Sequence, residues 1–259
     1  MTDPTPVESA EDIDPRWMTA ALRRHGFEGD VTSLAFAPIG TGQMADSFRF
    51  RLSLGASSPS TPPPPSSVVV KMQAADPRSR KAGASGAYET EVRFYAELAP
   101  TLSIRVPECY AAMLPDESNR FALVLEDLAP AEQGDQIEGC DVEQARAAVV
   151  NLAGLHGPRW CDPALKEMEW LRGSDGEVTG LQPLLGGFAE QFIEHYGSRV
   201  SKDDALVLRA FAEASGAWLL GRSERFSAVH ADYRLDNLLF ATPAGGSPVA
   251  AVDWQTVMV

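Results

Sequence analysis

The fold of this chain is decided by one stretch near its end, residues 229–240, which reads VHADYRLDNLLF. Within it, His230, Asp232 and Asn237 follow the spacing His-x-Asp-x-x-x-x-Asn, which is typical of the catalytic loop of phosphoryl-transfer enzymes. Aspartate and asparagine are also common turn formers. For the spacing alone, the two interpretations explain the residues equally well.

A predicted β-hairpin brings a second carboxylate towards this stretch. Residues 238–240 and 249–252 are short apolar runs, and residues 242–247 between them have the composition of a turn. In such a hairpin Asn237 begins one strand and Asp253 ends the other, so the two are predicted to lie side by side. Their side-chain oxygens would then converge as ligands for Mg²⁺, which prefers hard oxygen donors.

The loop that enters this hairpin carries the third polar residue. Asp232 lies five residues before Asn237, where its carboxylate could accept the proton of a hydroxyl held near the metal. With the hairpin and Asp253 added, the functional interpretation is favoured over the turn-former interpretation. A metal-binding pair alone does not name a substrate.

Length and composition are those of an ordinary globular protein. The 259 residues, 44% of them hydrophobic, suffice for one large domain or two lobes. A net charge of −14 argues against nucleic acid or an anionic membrane as the main partner. Cys109, Cys140 and Cys161 are scattered, and the acidic, proline-rich N-terminus is unlike a signal peptide. We therefore expect a cytoplasmic protein.

The chain is predicted to divide into three parts. Residues 1–30 form a leader and a first helix, with Asp14 as the N-cap. Residues 31–128 form a nucleotide-binding part built on a five-stranded antiparallel sheet, with a proline-rich surface insertion at 56–67. Residues 129–259 form a mainly helical part that carries the catalytic loop and the metal-binding hairpin.

Three amphipathic helices are predicted in the last part. Asp141 and Gln144 form a capping box at the start of the first, and residues 181–196 and 203–220 form the other two. The apolar stripe of the first helix is predicted to be Val142, Ala145, Val149, Leu152 and Leu155. In the other two, the aromatic residues are expected in the core rather than in a ligand site: Phe188, Phe192, Phe211 and Trp218.

A lysine within an apolar strand is a further candidate for chemistry. A buried Lys71 needs an anionic partner, although on an edge strand it could simply point to water. The predicted helix at 86–98 carries Glu91, which would keep the ammonium aimed at nucleotide phosphates. Glu89 and Glu97 compete for this role on the sequence alone, and any of the three could be solvated surface.

Two further segments could contact a nucleotide through their backbone. Gly40 and Gly42 form a tight turn whose N–H groups could cover phosphates, although a plain hairpin turn is the favoured interpretation. Glu126 and Leu128 bound the segment that leaves the sheet, where backbone groups could bind an adenine edge. These four residues complete the set of candidate nucleotide-binding residues.

In this order, the motifs resemble those of the aminoglycoside phosphotransferase and choline kinase group within the protein-kinase-like superfamily. Five segments are similar to its ecdysteroid-kinase-like bacterial members: EVRFY at 91–95, LVLEDL at 123–128, LAGLH at 152–156, HADYRLDN at 230–237 and VDW at 252–254. The resemblance extends from about residue 31 to the C-terminus. Its catalytic-loop and Asp-Trp motifs are specific, whereas its glycine turn is not.

The resemblance implies an α+β, protein-kinase-like bilobal fold that binds ATP and Mg²⁺ in the cleft. Lys71 would bind the α- and β-phosphates, and Glu91 would orient it. Asp232 would be the catalytic base or would position the hydroxyl, while Asn237 and Asp253 would bind Mg²⁺. Catalysis would consist mostly of positioning and charge neutralisation.

Two features depart from the family pattern. His230 would brace the catalytic loop, but the family usually has glycine at the next position, where a methyl group on Ala231 is expected to exclude a positive φ. Family members also usually continue for several helices after the Asp-Trp motif, so the C-terminal helices are expected to be missing beyond Val259. An exposed apolar patch, a homodimer that covers it, or low stability would follow.

The main hypothesis is an ATP- and Mg²⁺-dependent phosphotransferase that transfers the γ-phosphate to a hydroxyl of a small molecule. A protein kinase is disfavoured because the sequence contains no Asp-Phe-Gly or Ala-Pro-Glu run. The alternative is a catalytically weak nucleotide-binding pseudoenzyme or a partner-dependent interaction protein. An aminoglycoside, a choline-like amine, a sugar, a steroid or another alcohol all remain open as the acceptor.

Overall fold

The computed structural model describes residues 3–40, 44–55, 64–172, 175–221 and 224–259. The chain divides into two compact units, Met1–Arg159 with Ala228–Met258, and Trp160–Ser227 with Val259. Gly42 and residues 56–63 of the proline-rich insertion lie outside the described residues. All other candidate site residues belong to the first unit, and the predicted three-part division stays a prediction.

A five-stranded antiparallel sheet, in the order β1-β2-β3-β5-β4, is formed by the described residues of the first unit. Its strands are β1 (Val31–Ile39), β2 (Ala45–Leu54), β3 (Ser67–Gln73), β4 (Cys109–Met113) and β5 (Ala122–Glu126). Successive side chains of a strand point to opposite faces, so Phe50 and Leu52 are buried while Arg51 between them is exposed. The predicted five-stranded antiparallel sheet is confirmed.

Helix α1 (Pro15–Arg24) covers one face of this sheet. Asp14 caps it, because its carboxylate accepts the Trp17 backbone N–H at 2.7 Å. The residues that share one core with the sheet include Met18, Ala21, Leu22, Phe50, Val68, Val70 and Val124. Lys71 alternates with Val70 along β3 and therefore projects from the opposite face.

Two short helices follow the third strand, α2 (Pro77–Gly83) and α3 (Ala87–Arg93). The chain then continues as a π-helical turn over Phe94–Leu98. One helix was predicted over 86–98, and the change of hydrogen-bonding pattern within it is not visible in apolar spacing. Such π-helical turns are frequent at functional sites.

Helix α4 (Val142–His156) and a second sheet complete the first unit. The predicted capping box is formed, with Gln144 N–H donating to Asp141 at 2.7 Å. The predicted hairpin is present as β7 (Leu238–Thr242) and β8 (Gly245–Ala251), and a short strand β6 (Glu132–Gln133) pairs with β7. Strand β6 was missed because two exposed polar residues carry no periodicity.

The hairpin register differs by one residue from the prediction. The carbonyl of Asn237 accepts the N–H of Val252 at 3.0 Å, so its neighbour across the pair is Val252 rather than Asp253. The ladder is irregular between Phe240 and Thr242. Between the pairs Phe240–Val249 and Thr242–Gly245, β8 contains two residues more than β7, and the sequence does not show where such an irregularity falls.

The second unit contains α5 (Glu169–Arg172), α6 (Asp175–Tyr196) and α7 (Lys202–Leu220). Helices α6 and α7 pack side by side, and Arg209 Nε binds Glu190 Oε1 across them at 2.7 Å. Helix α6 begins six residues earlier than predicted, although Pro183 lies inside it. Among the described residues, no helix is long and apolar enough to cross a membrane.

Two predicted apolar helix faces are largely exposed. On α4, Val142 and Val149 are 73% and 66% exposed, whereas Ala148 and Leu155 are buried. The aromatic residues of α6 and α7 that were expected in the core are 47–69% exposed: Phe188, Phe192, Phe211 and Trp218. The prediction for the four aromatic residues is wrong. The predicted stripe of α4 is wrong for Val142 and Val149 but correct for Leu155, because periodicity shows which residues share a helix face but not which face finds a partner.

Candidate active site

A buried lysine on the sheet face opposite α1 forms the centre of the candidate site. The side chain of Lys71 is 12% exposed, and its Nζ lies 2.8 Å from Glu91 Oε1 and 2.7 Å from Glu91 Oε2. The same nitrogen lies 2.7 Å from Asp253 Oδ1. One cation therefore binds two carboxylates that come from α3 and from the end of the C-terminal hairpin.

The structure selects one of the three candidate glutamates as the partner of Lys71. Glu89 and Glu97 both bind Arg93, each at 2.7 Å, on the outer side of the helix. Glu91 is 1% exposed and faces the lysine. All three lie within about two turns of one helix, so their spacing alone could not decide which of them points inwards.

Burial and charge act in opposite directions on this cluster. Burial raises the pKa of Glu91, and the nearby Lys71 ammonium opposes that shift only in part. Burial alone would lower the pKa of Lys71, but the negative charges of Glu91 and Asp253 outweigh it and raise that pKa. The lysine therefore stays charged at neutral pH.

The residue after Asp253 anchors the end of the hairpin. Trp254 is fully buried and stacks on Phe94, with ring centroids 3.9 Å apart and an interplanar angle of 5°. Its backbone N–H donates to Glu91 Oε1 at 3.2 Å. Asp253 itself has a φ of +68°, a left-handed conformation that residues with a side chain rarely adopt. The buried indole thus fixes Asp253 in a strained backbone conformation.

The histidine of the catalytic loop is buried and bonded on both ring nitrogens. His230 Nε2 lies 2.9 Å from the carbonyl of Val252, which can only accept, so Nε2 carries the proton. Its Nδ1 accepts the backbone N–H of Asp232 at 3.3 Å. Burial lowers the pKa of His230, so the imidazole is neutral at neutral pH. This arrangement suits a residue that braces the loop.

The aspartate of the loop is more exposed and is oriented by its neighbours. Asp232 has a side chain that is 41% exposed, and its Oδ2 accepts Nδ2 of Asn237 at 2.9 Å. Asn237 also donates to the backbone carbonyl of Asp232 at 2.9 Å. Since the amide nitrogen of Asn237 faces Asp232, its Oδ1 is directed elsewhere.

The available oxygen donors fit Mg²⁺. Asp253 offers a carboxylate, and Asn237 Oδ1 has no hydrogen-bond partner within the described part of the chain. No group of three or more His, Cys, Asp or Glu side chains in that part could bind a metal. Mg²⁺ usually takes one or two protein oxygens, and water and substrate phosphates complete its shell. Asn237 and Asp253 therefore stay predicted ligands of Mg²⁺.

The glycine turn is described only in part. Gly40 has a φ of +71°, and nothing lies within 4 Å of the position that a Cβ would take. The left-handed backbone rather than lack of space therefore calls for glycine here. A phosphate-binding role of Gly40 and of Gly42, which lies outside the described residues, stays a prediction.

Where the chain leaves the five-stranded sheet after β5, polar groups already make hydrogen bonds within the protein. Glu126 accepts hydrogen bonds from Arg105 Nη2 at 2.7 Å and from the Glu108 backbone N–H at 3.0 Å. The carbonyl of Leu128 accepts the N–H of Ala131 at 2.9 Å. The Leu128 N–H has no partner among the described residues, and a base-binding role of Glu126 and Leu128 stays a prediction.

Sequence reasoning missed two side chains beside the motif aspartates. Arg234 Nε lies 3.2 Å from Asp232, and Gln255 Nε2 donates to Asp253 Oδ2 at 3.1 Å. Each lies two residues after the aspartate that it contacts. In a turn, a polar side chain can contact the residue two positions before it. This spacing was the sequence signal that could have predicted both contacts.

Ala231 has a φ of +62°, so the expectation that its methyl group excludes a positive φ is wrong. A left-handed conformation costs a residue with a Cβ roughly 1–2 kcal/mol. We expect Ala231→Gly to raise the free energy of unfolding by about 0.5–1 kcal/mol, after the greater flexibility of unfolded glycine is subtracted. Urea denaturation measures this change.

The matched control for this substitution is Ala35→Gly. Ala35 is also exposed but lies in β1, in the regularly paired part of the strand opposite Arg51, so glycine should lower the free energy of unfolding there by about 0.5–1 kcal/mol. A loss of stability in both variants would contradict the assignment of strain to Ala231.

Comparison with known proteins agrees with this geometry. The chain matches the sequence model of the phosphotransferase enzyme family over residues 65–259, and no curated protein matches it. It is similar to a solved structure from Ralstonia eutropha JMP134 that is provisionally assigned as an aminoglycoside phosphotransferase, with 21% identity and a TM-score of 0.53. The match covers 93% of this chain and 64% of that chain.

These comparisons confirm the α+β, protein-kinase-like fold and the resemblance to the aminoglycoside phosphotransferase group. The structural similarity, at this identity, concerns the fold alone. The sequence model contains every described candidate residue except Gly40, and it extends over most of the chain. The chain therefore belongs to the phosphotransferase enzyme family.

Proposed function

We propose that this chain is an ATP- and Mg²⁺-dependent phosphotransferase that transfers the γ-phosphate to a hydroxyl of a small molecule. The observation that carries the proposal is the contact of Lys71 Nζ with Glu91 and Asp253, all within 2.8 Å. This contact brings together three residues that are far apart in the sequence. A cytoplasmic location, where ATP is available, fits the same proposal.

The lysine is suited to bind phosphate oxygens. An ammonium has three N–H donors, and Glu91 Oε1 and Asp253 Oδ1 accept two of them. The third donor of Lys71 would bind the α- and β-phosphates. Because Glu91 is fully buried and also binds Trp254 N–H, it would hold the ammonium in a fixed position.

Asp232 is suited to receive the proton of the acceptor hydroxyl. Its carboxylate is accessible, and Asn237 Nδ2 fixes one of its oxygens at 2.9 Å. Asn237 and Asp253 would bind Mg²⁺, which when bound neutralises charge on the phosphates. The contribution of the chain to the reaction would be to align the hydroxyl and to stabilise charge.

The acceptor belongs to the class of small molecules that carry a hydroxyl group. Aminoglycosides, choline-like amines, sugars, steroids and other alcohols all carry suitable hydroxyls. The matched structure from Ralstonia eutropha is longer than this chain, which spans 64% of its length. The substrate can be identified by screening these classes of compound as phosphate acceptors.

The first test is ligand-induced stabilisation. We expect ATP with Mg²⁺ to raise the apparent free energy of unfolding by about 2.7 kcal/mol at a hundredfold excess over the dissociation constant. The rise should depend on Mg²⁺ and should be absent in Asp253→Ala, which lacks a predicted metal ligand. Thermal denaturation with ATP, with and without Mg²⁺, measures it.

Asp236→Ala provides the control. Asp236 is an acidic side chain close to the same loop, paired with Arg234 at 2.6 Å, and it has no predicted contact with metal or nucleotide. This variant should keep the Mg²⁺-dependent rise. The proposal would be rejected if the unmodified chain showed no stabilisation by ATP and Mg²⁺.

A further inference from the structure

An arginine shares the sheet face of Lys71 but has no part in the proposed function. Arg49 of β2 lies directly opposite Val69 of β3, two residues before Lys71. Paired residues share a face, as do residues two apart along a strand, so all three project from the same face. Val69 in turn lies opposite Leu125 of β5. A row of side chains on this face therefore runs from Arg49 through Val69 to Leu125, the residue before Glu126.

The guanidinium of Arg49 reaches the segment that follows β5. Its Nε lies 2.8 Å from Asp127 Oδ2, in a carboxylate that is 4% exposed, whereas the Arg49 side chain is 37% exposed. Nε itself is buried and is not aligned for a hydrogen bond. Within the described residues, no hydrogen bond engages its two terminal nitrogens, so the outer edge of the group keeps its donors.

We propose that Arg49 packs against the base of the bound nucleotide. The inference rests on the proposed function, which directs the phosphates to Lys71 and the base to the segment after β5. Two residues along a strand span about 6.6 Å, so Arg49 and Val69 lie between Lys71 and the segment that follows β5. A planar guanidinium stacks well on an aromatic ring, and half-buried Val69 adds an apolar contact.

The ion pair with Asp127 supports this role over a purely electrostatic one. Asp127 neutralises the charge of Arg49 and fixes the inner edge of the guanidinium at the β5 end of the row. A guanidinium fixed in this way would present its flat face to a base bound between Lys71 and the segment after β5. A lysine at position 49 would keep the positive charge but would lack the planar group.

Equilibrium binding of two ligands separates a base contact from a phosphate contact. Calorimetric titration of the full chain with ATP and with inorganic tripolyphosphate, both with Mg²⁺, should show that Arg49→Leu weakens ATP binding about tenfold. Tripolyphosphate binding should not change. Arg49→Lys should weaken ATP binding to a similar extent, whereas Arg51→Leu, on the same face of β2 and exposed, should have no effect.

The outcomes distinguish this inference from the proposed function. If the unmodified chain binds ATP but Arg49→Leu binds it equally well, the inference alone is overturned. Equal losses for ATP and tripolyphosphate would assign Arg49 to the phosphates and would also overturn it. If the unmodified chain binds neither ligand, the proposed function fails first, and the inference fails with it.

Discussion

Replacing Lys71 by methionine is expected to lower the free energy of unfolding by about 3–5 kcal/mol, the range for removing one partner of a buried ion pair. The substitution leaves the carboxylate of Glu91, 1% exposed, without its cation. Methionine has a length similar to lysine and adapts to irregular spaces, so little of the loss would come from a cavity. Urea denaturation near neutral pH measures the change.

Two further variants test whether the loss comes from the unpaired charge. The double variant Lys71→Met with Glu91→Leu should recover much of the stability, because it removes the fully buried carboxylate, whereas the carboxylate of Asp253 that remains is 29% exposed. Arg93→Met removes the cation from two partly exposed pairs on the same helix and should cost less than about 1 kcal/mol. Similar losses for Lys71→Met and Arg93→Met would refute a special role of the buried cluster.

Replacing Asp232 by asparagine is expected to reduce phosphoryl transfer by about 10²–10⁴-fold, the range for removing a general base. Asparagine can still accept the hydrogen bond from Asn237 but cannot take a proton from the acceptor. Stabilisation by ATP and Mg²⁺ should therefore persist. Transfer of label from γ-³²P-ATP to an acceptor found by screening, under single-turnover conditions, measures the effect.

Asp236→Asn is the matched control for this experiment. Asp232 and Asp236 both contact Arg234, so both substitutions remove a carboxylate from the same guanidinium. Only the first removes the predicted proton acceptor, and the second should stay within a few-fold of the unmodified rate. If Asp232→Asn retained transfer to the same extent as Asp236→Asn, Asp232 would be excluded as the base.

Much of the fold could be predicted because it depends on local signals. Alternation and turn composition located the strands of the five-stranded sheet and the hairpin β7–β8, and Asp14 and Asp141 marked the helix starts. Helix faces were harder to assign, since Val149 and Ala148 are neighbours and only one is buried. That outcome depends on which surface lies nearby, which is a property of the whole fold.

The site shows the same division between local and long-range information. The spacing of Asp232 and Asn237 was readable because both lie on one loop. The choice of Glu91 over Glu89 and Glu97 was not, because it depends on which way a helix is turned towards Lys71. The register of the hairpin was also not predicted, since the irregularity between Phe240 and Thr242 changes which residues of the two strands lie opposite each other.

The cluster of Lys71, Glu91 and Asp253 joins residues that are synthesised at very different times. Lys71 and Glu91 are 20 residues apart, whereas Lys71 and Asp253 are 182 apart. At typical translation rates, roughly 8–32 s separate the synthesis of Glu91 from that of Asp253. During this interval a growing chain can neutralise the lysine with Glu91 alone. The second carboxylate, and with it the complete charge arrangement, is added only after Asp253 has been synthesised and has left the ribosome.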